Sequence, residues 1–170
     1  MLVPTWAQSI SYWLHMLATV VWMGGLAALG ILFLPAARQV LDEAQFTDLL
    51  DKIQHRLDPI GWFCLILLTG TGLIQMSANP NYSGVLAIEN SWSLVILVKH
   101  VVFLMMAVLS AYLTWGLLPQ LRRLSLARRL DQETASGKTD QLVKKEITLV
   151  RLNLGLGILV LLLTAIARAS

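Results

Sequence analysis

Four stretches of this 170-residue chain are long and apolar enough to cross a bilayer, a crossing that takes roughly 20 helical residues. They run from about Ser9 to Ala36, Ile60 to Ser77, Trp92 to Leu118 and Ile147 to Ala167. Inside lipid only helices and closed barrels satisfy their own backbone groups. Barrel strands would show alternating segments of about ten residues, and no such alternation is present. The chain is therefore expected to be all-α: an integral membrane bundle of four transmembrane helices forming a single domain over residues 1–170.

Composition agrees with a lipid environment. Apolar residues make up 56% and charged residues 14%, against about 25% charged in a soluble domain. That balance excludes a disordered chain, a nucleic-acid module and most soluble enzymes. A single cysteine, Cys64, excludes an intrachain disulfide and a thiolate metal cluster. The first span is preceded by no basic residue and is longer than the apolar core of a signal peptide, so it reads as a retained helix.

Charge placement sets the direction. Eleven of the 13 Lys/Arg lie in or beside two loops, Ala37–Asp58 and Gln120–Arg151, and the loop Ala78–Ser91 has none. Short loops rich in Lys/Arg stay cytoplasmic, so both termini should lie on the outer side of a plasma (inner) or other energy-transducing membrane. Both basic loops read as partly helical. Phe46, Leu49, Leu50, Ile53 and Leu57 recur at helical spacing, the pattern of an amphipathic interfacial helix. Asp58-Pro59 reads as an N-cap and first helical position opening the second span. Arg122, Arg123, Arg128 and Arg129 should carry the third helix out of the membrane, and Thr134–Asp140 should form the turn before the fourth. Trp6, Tyr12, Trp13, Tyr82 and Trp92 fall near the outer interface, and Trp62, Tyr112 and Trp115 near the inner one, where aromatic residues gather.

Ionisable residues inside a span are costly and rare, which makes each a functional candidate. His15 lies about six residues into the first helix and His100 about eight into the third, both counted from the outer face. At 1.5 Å per residue each sits roughly 10 Å below that boundary, so the two can face one another across the bundle. His55, on an inner loop and off the apolar stripe, should be solvated. Paired imidazoles suit two metal groups. Haem b accepts axial histidines, and its propionates could pair with Lys99 and Arg168, the two outer-half cations; a site with both axial positions filled favours electron transfer to a quinone or another membrane redox protein. Copper(I) favours soft donors, and Met76 at the outer end of the second helix makes a His15, Met76, His100 set feasible. Zinc hydrolysis and Ser/His/Asp catalysis want a carboxylate, and none is expected within a span. A third reading is a cofactor-free subunit of a larger complex or a homo-oligomer.

The motif Trp13-Leu14-His15, followed by Trp22-x-Gly24-Gly25 and closing in Leu34-Pro35, resembles the first helix of copper resistance D (CopD)-like membrane domains and of the related HemJ-type protoporphyrinogen oxidases. Thr69-Gly70-Thr71-Gly72-Leu73, and Trp92 followed by Lys99, are similar to segments of the second and third helices of these families. The likeness covers roughly Tyr12 to Leu124. It implies a four-helix unit, with His15 as a ligand, Lys99 as a site residue and Trp22 beside them. The CopD name implies copper movement across the inner membrane; the HemJ branch implies haem b and a membrane oxidoreductase activity.

Overall fold

A computed structural model of the chain describes residues 4–82, 84, 88, 90–121, 123 and 136–169. The architecture is all-helical, with four long apolar helices able to span a membrane. The first rod comprises α1 (Thr5–Ala27), a π-helical segment (Ala28–Phe33) and α2 (Leu34–Val40). The second is α3 (Glu43–Ser77), the third is α4 (Ser91–Ala111) with a second π-helical segment (Tyr112–Leu117), and the fourth is α5 (Ser136–Ala169). Helix α1 packs along α3 and α4 along α5, and α1 also meets α5. Both chain ends lie at one end of the bundle, where the Arg168 guanidinium sits 5.1 Å from the Tyr12 ring centroid.

Many large apolar side chains point away from the bundle. Met16 is 69% and Leu104 64% exposed, an arrangement a soluble protein of this size avoids and an acyl-chain surround accommodates. Inside, one apolar cluster (Ala18, Trp22, Cys64, Leu65, Leu68, Val102, Met106) fills the centre, and a second (Leu29, Leu34, Phe46, Leu50, Leu121, Val143, Val150) fills the end carrying the basic loops. Trp6 and Trp13 are exposed, as interfacial residues are, whereas Trp92 is a core residue packed on Met76 and Ala167.

The loop end departs from the sequence-based expectation. Helix α3 starts at Glu43, capped by Asp42, whose Oδ1 accepts from Gln45 N–H at 2.8 Å, and it runs without a break through Asp58-Pro59. No new helix opens there. Phe46 and Leu50 of the amphipathic stretch are buried among Leu34, Leu121 and Val143. The stripe therefore extends the bundle core instead of lying on the lipid surface: packing on three neighbouring helices removes more apolar area from water than an interface would. The fourth helix likewise begins earlier than expected, since residues 136–140 are its first turns and not a loop. Arg122, Arg128, Arg129, Thr134 and Ala135 lie outside the described residues. His55 is exposed, as expected.

Each π segment ends two residues before a proline, Pro35 and Pro119. The N–H of Leu34 reaches back five residues to Leu29 O, and that of Leu118 to Leu113 O. In this register the next donors would be Pro35 and Pro119, which have no N–H, so Gly30 O and Thr114 O lose their helical partners. At Gly30 the vacancy is filled across the bundle, where Arg151 Nε–H donates to Gly30 O at 3.2 Å. The approach is close: a Cβ on Gly30 would stand 3.1 Å from Val150 Cγ1, which would have to give way.

Candidate functional site

The histidine level is built on the contact between α1 and α3. Thr71, buried on α3, donates its hydroxyl proton to Leu67 O at 2.6 Å. Having one proton, that hydroxyl must accept from His15 Nδ1, 2.8 Å away. Around this bond Ser11 Oγ donates to Thr71 O and Gln75 Nε2 to Ser11 O, and a Cβ on Gly72 would lie 3.7 Å from His15 Cε1. The His15 ring is thus seated by a small polar ladder, with its Nδ1 occupied as donor. On α4, His100 Nδ1 lies 2.7 Å from Ile96 O; a carbonyl only accepts, so this nitrogen too carries the proton. Both rings therefore carry a proton on Nδ1, and neither Nε2 meets a hydrogen-bond partner among the described residues. Ligating histidines commonly have one nitrogen anchored in this way and the other free for the metal.

Lys99 lies within electrostatic reach of His15, and Arg168 within reach of Lys99. His15, Lys99, Arg168 and Tyr12 therefore gather at the end of the bundle that carries the termini, from three different helices. Met76 is buried nearby with Trp92 and Ala167, and Ile96, whose carbonyl holds His100, packs on that cluster. Trp22 belongs elsewhere. It lies two turns deeper than His15, approaches Gly61 through its Nε1 and lines a cavity in the opposite half. A Cβ on Gly24 or Gly25 would meet nothing within 4 Å, so neither glycine serves close helix packing.

That cavity was not anticipated. It measures about 100 Å³ and lies between the helices toward the loop end, with walls of Trp22, Trp62, Leu65 and Val150 and polar lining from Gln54, Asp58, Ser110, Thr114 and Asn153. Next to it Glu146 is 1% exposed and accepts a hydrogen bond from Gln54 Nε2. Glu146 belongs to the helix Gln141–Ala169 that carries the fourth span, just after Lys144 and Lys145 at the edge of its apolar run. A periodicity signal was available, since Val143, Glu146, Val150 and Asn153 follow one another by three, four and three residues, placing both polar groups on the buried stripe of α5.

The family model for copper resistance protein D matches residues 51–167. The chain belongs to the CopD family. The match begins within α3 and takes in Met76, Lys99, His100, Glu146 and Asn153, while His15, Trp22 and Arg168 lie outside it. The placement of the chain among CopD proteins thus rests on the second, third and fourth spans and is independent of the first-helix motif. No curated protein and no solved structure shows a significant match to the chain.

Proposed function

We propose that this CopD-family membrane protein binds copper(I) at the termini end of its bundle, through His15 and His100 with Met76 as a third donor, and takes part in moving the metal across the membrane. The observation that supports this most directly is the anchored His15 ring: with Nδ1–H held by Thr71, the lone pair left over is on Nε2. His100 repeats the same state from another helix. Imidazole nitrogens and a thioether form a donor set that copper(I) accepts, and a lone ion needs ligands but no large cavity.

The same two imidazoles, with Lys99 and Arg168 to pair carboxylates, also support a haem-b reading and electron transfer to a quinone or a membrane redox partner. The cavity described above is not its place, being in the other half of the bundle and only about 100 Å³, where sites for drug-sized ligands measure about 300–1,000 Å³. Copper is the better supported of the two.

The test is a titration of the purified chain in lipid nanodiscs with copper(I) under reducing conditions, against a competing chelator. One equivalent should bind, and His15→Ala or Met76→Leu should weaken binding by at least about tenfold. A haem absorption band in the purified protein that sharpens on reduction and is lost in His100→Ala would favour the second reading. Binding of neither, with fixed partner proteins co-purifying, would overturn both in favour of a structural subunit.

A further inference from the structure

Toward the loop end of the bundle two buried side-chain oxygens stand without a donor among the described residues. Glu146 and Asn153 are each 1% exposed, and Glu146 Oε2 and Asn153 Oδ1 have no partner among the described residues. A buried acceptor without a donor is costly, and of these two Asn153 lines the cavity while Glu146 is joined to it through Gln54. Beside them Asn153 Nδ2 donates to Ser110 Oγ at 2.9 Å, and Gln54 Nε2 to Glu146 Oε1.

The charges point the same way. Asp58 of α3 faces Glu146 closely enough for the two carboxyls to bear on each other, and Asp58 has an interaction of its own. On α5 itself the nearby cations are turned elsewhere, Lys145 Nζ to Tyr112 Oη at 2.7 Å and Arg151 to Gly30 O. Lys144 and, on α2, Arg38 are exposed, and each has an interaction of its own. The residues that the π segment and the third span bring to this end, Leu29, Leu34, Leu113 and Leu121, are apolar. A second carboxylate charge in such surroundings is strongly disfavoured.

We propose that Glu146, with Gln54, Asp58 and Asn153 around a small water cluster, forms a proton-binding site separate from the histidine level, with Glu146 as the group that takes up and releases the proton. A water occupies about 30 Å³ in the liquid, so the cavity of about 100 Å³ holds a short cluster. In the resting state Glu146 is a carboxylic acid, and its O–H is a donor toward the cavity. On release its O–H bond breaks, the proton passes to a cavity water as hydronium, and the negative charge stays on Glu146 beside the Gln54 amide donor. Asn153 Oδ1 receives a hydrogen bond from the water.

Infrared spectroscopy of the full chain in lipid tests this. Near neutral pH a carboxylic-acid C=O band is expected that shifts in D2O, shifts again when the glutamates alone are labelled with 13C, and disappears at high pH. The label reads the wild-type protein and so does not depend on any variant folding. Glu146→Gln, which keeps the Gln54 contact, should abolish the band, and Asp58→Asn should retain it. Absence of a glutamate-labelled band near neutral pH would overturn the proposal, and a band that appears only after sodium and potassium are removed would assign the site to a metal cation instead. A band that survives in folded Glu146→Gln would overturn it as well.

Discussion

At the scale of single residues the decisive contact is the one between Thr71 and His15. The threonine hydroxyl is locked as a donor to its own helix and so acts as an acceptor toward the ring. Thr71→Val keeps the shape but leaves Nδ1–H facing a methyl group. It should destabilise the protein by about 1–3 kcal/mol and weaken copper(I) binding about 10–100-fold, both measured on the nanodisc-embedded chain. Thr71→Ser should restore most of the affinity, which separates loss of the acceptor from loss of volume. His15 was legible in the sequence because an imidazole in an apolar run is unusual. Thr71 was not, since threonine is common in membrane helices and only the fold brings residue 71 beside residue 15. Glu146 escaped for a different reason: it stands at the edge of an apolar run, where a carboxylate looks like the boundary of the span.

At the scale of the elements, the four spans could be read from hydropathy because lipid tolerates little else, but their joints could not. Pro59 looked like a helix start and is exposed within a continuous helix. Local signals name where a helix is able to begin, and packing of Phe46 and Leu50 against the bundle decides that this one begins earlier. The π segments were likewise invisible, because the prolines that follow them suggest helix ends. Their cross-bundle link is testable. Gly30→Leu forces a side chain against Val150 and parts Arg151 from the Gly30 carbonyl, and should cost about 1–3 kcal/mol by overpacking. Gly155→Leu, where a Cβ meets nothing within 4 Å, should change stability by less than about 0.5 kcal/mol. Unfolding in mixed micelles measures both.

At the scale of the whole molecule, the charge distribution predicts which way the bundle faces. Cys64 is 3% exposed, so the natural chain is silent to thiol reagents and new cysteines can be read against it. Asn81→Cys, at the end that holds the termini, should react in intact cells with a membrane-impermeant maleimide. Lys52→Cys, at the basic end, should react only after permeabilisation. The reverse pattern would invert the bundle and place the histidines on the cytoplasmic side, with Glu146 facing out.

The anchored state of the two imidazoles carries a consequence for energetics. On the copper reading proposed above, the donors would be two ring nitrogens and a thioether, with Lys99 and Arg168 close by. A monovalent metal held there would meet no carboxylate at that level among the described residues. Such a seat would hold its guest by coordination without help from an opposite charge, which suits onward passage more than storage.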